Sequence, residues 1–278
     1  MVCDFMTAQD FQIICKLVRE RSAIVLDAGK EYLVESRLAP ILRERKLNSI
    51  GELIGQMRIE PGNGLCRQIV EALVTTESSF FRDHHPFEAL RQVVLPDLIR
   101  RRRAERRLRI WCAACSTGQE PFSVAMLIRE HFPELSPWQI SLLASDVSQQ
   151  MLDRAREGRF NQIEVNRGLP AALLVKYFEQ HGTTWQFKLD LRGTVDFREI
   201  NLAKPWPVLP PMDLVLLRNV MIYFDIETKK EILSRLTRLL KPDGYLLLGG
   251  AETTLNLSDS YQRVEPIKAG FYQFVSGK

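Results

Sequence analysis

Two acids and the small-residue turn before one of them are the first residues whose types and spacing suggest chemistry. Residues 114–120 read Ala-Cys-Ser-Thr-Gly-Gln-Glu, after a buried apolar run from Leu108 to Ala113 and before a helical pattern through Pro121, Val124, Ala125, Leu127 and Ile128. A turn of small residues lets a ligand approach the main chain, and the helix after it offers N–H groups with no internal partner. Its single glycine falls short of the G-x-G-x-x-G that seats a dinucleotide pyrophosphate, so a nicotinamide cofactor is not expected. Glu120 at the helix start suits a cationic ligand group, or else complements the helix dipole. Asp146 closes the next apolar run, Ile140 to Ala144. An acid there is placed to bind ribose hydroxyls or to cap the following helix, and both roles are compatible. This set suits a nucleoside that bears an amino acid better than a diphosphate, and S-adenosylmethionine is such a ligand.

Other constellations are weaker. Cys112 and Cys115 form a C-x-x-C, open to a redox reading, but no second pair completes a zinc site. His84, His85, His131 and His181 show no ligand spacing with them. No metal is expected, and both cysteines are read as small packing residues. Five cysteines is an odd count, which suggests free thiols in a reducing compartment, hence a cytoplasmic protein. No apolar run approaches the roughly 20 residues of a membrane span, and the opening MVCDFMTAQDF lacks the basic and apolar blocks of a secretory signal.

The elements that must position these residues read as α/β. The first 80 or so residues are helical: Thr7 to Asp10 resembles a capping box, with Phe11, Ile14, Leu17 and Val18 at helical spacing. Ser36 is expected to cap a second helix with Pro40 in its first turn. Gly51 to Arg58 and Leu65 to Leu73 suggest two more, separated by a turn at Pro61-Gly62-Asn63-Gly64. From residue 108, strands alternate with helices: Ile140 to Ala144, a helix near Gln149 to Glu157, Asp213 to Arg218, a helix from Ile226 to Leu240 capped by Asp225, a type I turn at Lys241 to Gly244, and a strand from Gly244 to Gly249. That alternation predicts a doubly wound, mainly parallel sheet of Rossmann-like kind, with ligands at the carboxyl ends of its strands. Residues 161–195 break the pattern and read as a small antiparallel β-subdomain insert. The expected domains are therefore a helical one with its linker over 1–83 and an α/β one over 84–278.

In a chain of 278 residues, 45% hydrophobic and 26% charged, a disordered or fibrous protein is excluded. The net charge of +4 does not demand nucleic acid. Residues 100–109, however, hold seven arginines against one acid, Glu105. This run is either a solvated helix end or an anion-facing patch. Residues 1–75 balance ten basic against ten acidic side chains, although the second helix carries Arg37, Arg43, Arg45 and Lys46.

Four segments carry a resemblance: residues 74–83 (Val-Thr-Thr-Glu-Ser-Ser-Phe-Phe-Arg-Asp), residues 111–123 (Trp-Cys-Ala-Ala-Cys-Ser-Thr-Gly-Gln-Glu-Pro-Phe-Ser), residues 218–224 (Arg-Asn-Val-Met-Ile-Tyr-Phe) and residues 240–245 (Leu-Lys-Pro-Asp-Gly-Tyr). In order and wording they resemble the CheR family of chemotaxis receptor glutamate methyltransferases over nearly the whole chain. The resemblance implies methyl transfer from S-adenosylmethionine to glutamate carboxylates of methyl-accepting chemotaxis receptors, leaving S-adenosylhomocysteine and a glutamyl methyl ester.

It further implies that Ser78 and Arg82 contact the cofactor, that Thr76 stands where many relatives have Asn, and that Glu120 binds the methionine amino group. Asp146 would hold the ribose, Asn201 and Leu202 the adenine, while Arg218, Asn219 and Tyr223 would lie beside the methyl. Arg82 and Tyr223 are the residues expected to orient reactants. Phe80 and Phe81 also suit an interdomain core. The basic second helix would dock on an acidic receptor surface, and the insert resembles a β-subdomain that in some members tethers a receptor's C-terminal pentapeptide. Nucleic acid is not an expected partner, and the membrane is reached only through the receptor. Two alternatives remain: a related methyltransferase for another nucleophile such as a nucleic-acid amine, supported only by the arginine run, and a regulator that binds cofactor without turnover.

Overall fold

A computed structural model describes residues 6–59, 64–265, 267 and 269–275. The turn expected at Pro61 to Gly64 lies, but for Gly64, outside them. The chain divides into two compact units: Met1–Thr75 with Tyr223–Thr228, and Thr76–Ile222 with Lys229–Lys278.

The first unit is helical: α1 Ala8–Ser22, α2 Glu31–Arg45, α3 Ile50–Ile59 and α4 Leu65–Leu73. Thr7 and Asp10 form the expected capping box on α1. Each helix buries one apolar stripe, such as Phe11, Ile14, Leu17 and Val18 on α1 or Val34, Leu38 and Ile41 on α2. Residues 223–228 join this unit through an isolated bridge between Ile24 and Phe224 and an Arg19–Asp225 ion pair of 2.9 Å. The expectation for α2 needs correction. The helix starts at Glu31, five residues before Ser36, and Pro40 lies in its interior. Ser36 and Pro40 are both exposed, so the carbonyl that loses its helical donor at Pro40 is on the outer face, where proline is least disruptive.

The second unit opens with a helical stretch, α5 His85–Ala89, a π turn Leu90–Val94 and α6 Leu95–Arg102. Then follow β1 Arg107–Ala113, α7 Gln119–His131, β2 Gln139–Asp146, α8 Gln149–Glu157, β3 Arg159–Asn161, α9 Gln162–Asn166, α10 Ala171–Tyr177, β4 Phe178–His181, β5 Thr184–Phe187 and α11 Leu189–Arg192. The remainder is β6 Val195–Glu199, β7 Met212–Leu217, α12 Ile226–Leu239 (whose first turn belongs to the first unit), β8 Leu240–Leu248, β9 Tyr261–Arg263 and β10 Phe271–Phe274. Seven strands form one sheet in the order β6-β2-β1-β7-β8-β10-β9, parallel from β6 to β8 and antiparallel through β10 and β9. The parallel strands read as near-continuous apolar runs because helices cover both faces. A separate antiparallel sheet, β3-β5-β4, is the expected insert, with Gly182 at its hairpin turn.

The type I turn expected at residues 241–244 is absent: β8 runs straight through it, with a register shift opposite Met212 and Leu214. Ion pairs draw the segment onto its neighbours. Arg102 is buried and binds Asp213 at 2.5 Å and Asp243 at 2.5 Å, and Lys241 binds Asp213 at 3.0 Å. The arginine run is thus partly structural. Arg100 and Arg101 pair with Asp97, and Arg102 is inside the fold.

Candidate active site

In the second unit β1 pairs with β2 on one side and β7 on the other. The carboxyl ends of these three strands therefore flank the point where strand order reverses, the place where such sheets bind ligands. Six non-glycine residues with left-handed backbone fall in three segments of this unit: Phe81, Asp83 and His84; Ala114 and Ser116; and Asn219. Each costs about 1–3 kcal/mol, and such strain gathers where function demands it.

The turn after β1 is fixed from below. Asp146 accepts the Ser116 N–H at 2.8 Å on one oxygen and the Ser148 N–H at 3.0 Å on the other. It therefore shapes the turn and leads into α8, whose cap is Ser148. A carboxylate offers about four acceptor sites, so these bonds remain compatible with a ribose contact. The lone glycine, Gly118, has φ +92°, and a Cβ there would stand 3.0 Å from the Phe122 ring and 3.1 Å from Ala155. Close packing, not ligand access alone, requires glycine at this position. Cys112 and Cys115 are buried, and burial pushes both thiols well above their usual range, which argues against a reactive thiolate at neutral pH.

Glu120 is largely but not fully buried at the start of α7, its side chain 13% exposed against 2% for Arg218. Burial pushes its carboxyl up, and Arg218 opposes that shift without cancelling it. Arg218 donates to Glu120 Oε2 at 2.9 Å, to the Arg82 carbonyl at 3.0 Å and to Asp83 Oδ2 at 2.8 Å, with its guanidinium 5.7 Å from the Phe87 ring centre. Arg218 Nε is a buried donor without a partner among the described residues. A ligand that brings an ammonium for Glu120 and an acceptor for this nitrogen matches the donor set, and an amino-acid-bearing nucleoside has both groups.

Residues 76–83 form a strap over this unit's turn. Ser116 Oγ donates to the Thr76 carbonyl at 2.7 Å, and the Phe81 N–H donates to Ser123 Oγ at 3.0 Å. Ser123 in turn donates to the Gln119 carbonyl at 2.7 Å. Phe80 is fully buried, its ring 5.0 Å from Phe160 and 5.7 Å from Phe178 of the insert. It is core of the second unit, where the sequence had suggested interdomain packing. Arg167 pairs with Glu77, and a Cβ on Gly168 (φ +89°) would collide with the Phe80 carbonyl, so the insert clamps the strap. Ser78 is half-buried along the strap, and the Arg82 guanidinium donates to the Glu77 carbonyl at 3.3 Å.

Asn201 and Leu202 follow β6. Asn201 Oδ1 accepts the Ala203 N–H at 2.9 Å, while Trp206 and Arg235 each donate to the Leu202 carbonyl at 3.1 Å. The second unit thus carries Glu120, Asp146, Asn201, Leu202, Arg218 and Asn219 on segments at or after the strand ends, and Thr76, Ser78 and Arg82 on the strap. Tyr223 belongs to the first unit, its carbonyl accepting the Val25 N–H at 2.9 Å. There too Arg37 donates to the carbonyls of Leu73 and Val74, and Arg45 to Gln68, while Arg43 and Lys46 are exposed. Sequence reasoning missed Ser123, although a serine amid the apolar face of α7 was a usable signal. It also missed Glu252, a lone acid in a loop. Among the described residues, no three His, Cys, Asp or Glu side chains are arranged to hold a metal ion, and no helix is long and apolar enough to cross a membrane.

Known proteins resemble this chain over nearly its whole length. Residues 9–74 match the all-alpha domain of the CheR methyltransferases and residues 76–269 their SAM binding domain. Chemotaxis protein methyltransferase 1 of Pseudomonas aeruginosa is 41% identical over 261 residues, 92% of this chain and 94% of that one. Chemotaxis protein methyltransferase Cher2 of Pseudomonas putida is 38% identical over 269 residues, 95% and 97% of the two chains. Chemotaxis protein methyltransferase 1 of Vibrio cholerae is 35% identical over 260 residues, 92% and 93%.

Proposed function

The chain belongs to the CheR family of S-adenosylmethionine-dependent chemotaxis methyltransferases, and from that premise we propose that it esterifies glutamate side chains on the cytoplasmic helices of chemoreceptors. The observation that carries the site assignment is the buried Glu120–Arg218 pair at the start of α7. Glu120 would hold the methionine ammonium and Asp146 the ribose. Asn201 and Leu202 would line the adenine, and Thr76, Ser78 and Asn219 would close over the ligand. When bound, the cofactor supplies an electrophilic methyl group on a sulfonium. A glutamate acceptor is ionised at pH 7, its reference pKa being about 4.3, so the chain has no proton to remove. Its task is to align oxygen with methyl and to exclude water. Arg82, whose guanidinium donates to the Glu77 carbonyl, is suited to orient that carboxylate by a charge-assisted bond, and Tyr223 to place either reactant.

In this reading Arg43 and Lys46 carry most of the docking charge, because Arg37 and Arg45 are tied to α4. The receptor's membrane is reached from the cytoplasm and only through the receptor. The outer edge of β4 in the insert is suited to take a C-terminal pentapeptide by strand addition. The test is incubation with methyl-labelled cofactor and receptor-bearing membranes. Base-labile label on the receptor band is expected. Base-stable label, or label on nucleic acid, would overturn the glutamate assignment.

A further inference from the structure

Glu252 is a buried acid with no part in the reading above. It follows β8 in Gly249-Gly250-Ala251-Glu252 and is 8% exposed. Its Oε2 accepts the N–H groups of Asn219 at 2.8 Å and Gly249 at 2.7 Å. Its Oε1 accepts those of Val220 at 2.9 Å and Ile222 at 3.3 Å. Four main-chain donors, from the loops after the neighbouring strands β7 and β8, converge on one carboxylate. Bonds of this kind are what allow a charge to stay buried.

Three of the four donors belong to the turn that begins at Arg218. Its first residue after Arg218, Asn219, is left-handed at φ +57°, a conformation that asparagine tolerates but does not prefer. Something must hold it, and Glu252 grips the chain at Asn219 and again at Val220 and Ile222. The fit is tight on the far side as well. A Cβ on Gly249 would lie 2.7 Å from Glu252 Oε2 and 2.8 Å from the Asn219 nitrogen. We propose that Glu252 is a positioning residue for the cofactor site, fixing the 219–222 turn so that Arg218 and Asn219 present their side chains to the ligand. It touches no reactant itself. The inference rests on the site assignment above, because only then does the position of Arg218 and Asn219 govern cofactor affinity.

The test compares S-adenosylhomocysteine affinity and steady-state methylation among folded variants. Glu252→Gln keeps the shape but turns an amide NH2 toward two N–H groups, whichever way it is flipped. It is expected to raise the product's Kd and the cofactor KM at least tenfold, with receptor KM unchanged. Glu252→Asp restores the charge with a shorter reach and should recover part of the affinity. Gly249→Ala leaves the carboxylate intact but crowds it, and should give the same signature; it carries the test if Glu252→Gln does not fold. Leu98→Ala, a cavity in α6 outside the site, controls for lost stability and should bind normally. Folded Glu252→Gln and Gly249→Ala proteins with unchanged affinity would overturn the proposal, as would an equal affinity loss in Leu98→Ala. A wild-type protein that neither binds S-adenosylhomocysteine nor labels receptors would instead overturn the functional reading.

Discussion

Replacing Arg218 by Met tests the centre of the site, because it keeps a side chain of similar length while removing every charged bond. The guanidinium is 2% exposed and Glu120 13% exposed, so their pair counts as buried, whereas the bond to Asp83 at 53% exposure is screened by solvent and adds little. Deleting one partner of a buried pair costs about 3–5 kcal/mol, because the other is left as an uncompensated charge. A domain of this kind has about 5–15 kcal/mol in hand, so the variant should stay folded. Part of the loss must return as pH falls. With Arg218 gone, the largest influence lowering the Glu120 pKa is lost and Arg82 alone opposes burial and the Glu252 charge, so the folded-state pKa rises further above the unfolded value. The ionised group then penalises folding fully above that raised pKa, and the penalty fades as pH falls toward the ordinary glutamate range. All four tryptophans, Trp111, Trp138, Trp185 and Trp206, lie in the second unit, so their fluorescence in urea reports that unit alone. Arg218→Met should lose about 3–5 kcal/mol at pH 8 and distinctly less at pH 5, with an unchanged urea slope. In a Glu120→Gln background the cost should shrink, giving a coupling energy of about 2–3 kcal/mol. A loss that ignores both pH and Glu120→Gln would refute the buried-pair argument.

Cofactor binding should weaken as pH falls through the raised Glu120 pKa, above the usual glutamate range, since a protonated Glu120 no longer attracts an ammonium; calorimetry should show this limb in the wild type and its absence in Glu120→Gln. Asp243 is held below the usual aspartate range by the Arg102 bond, so its stability contribution is present above about pH 4 and lost as pH falls through its lower folded value. Asp243→Asn should therefore flatten the acid limb of the urea midpoint against pH. Arg82→Ala should lower kcat and kcat/KM together while product affinity changes less than threefold; a full kcat with only a raised cofactor KM would make Arg82 a plain binding residue.

What could be read from the sequence was whatever depends on local pattern. The run Leu108 to Ala113 followed by Ala-Cys-Ser-Thr-Gly-Gln-Glu specifies strand, tight turn and helix start, and the acid after the next apolar run marks the neighbouring strand end. Asp225 as the cap of α12 was legible for the same reason, and its carboxylate accepts the Thr228 N–H at 2.9 Å. What was not legible depends on partners far along the chain. Arg102 looks like every other member of its run, yet Asp213 and Asp243, more than a hundred residues away, take it inside. The same pull stretched Lys241 to Gly244 into β8 where local chemistry wrote a turn. Glu252 is illegible in the same sense, because its four donors come together only after β7 and β8 are paired.

The two ends of the sheet use buried charge in opposite ways. At the amino end, hydrogen bonds outweigh burial. Asp243 is pulled down by Arg102, and Asp97 is also held low because Tyr245, Arg100 and Arg101 together overcome its desolvation. Those acids are satisfied within the protein, and Arg102 ties Asp243 of β8 to Asp213 of β7. At the carboxyl end Glu252 and Asp146 are likewise satisfied by main-chain donors, but at the Glu120–Arg218 pair the balance is reversed. Burial outweighs Arg218 at Glu120, Arg218 Nε has no partner among the described residues, and left-handed residues crowd the surrounding segments. A fold selected for stability alone would complete these bonds internally. Leaving them incomplete raises the free energy of the ligand-free protein, and a ligand with an ammonium and an acceptor lowers it on binding. The site is therefore marked by which charges the fold leaves unsatisfied more than by which charges it contains.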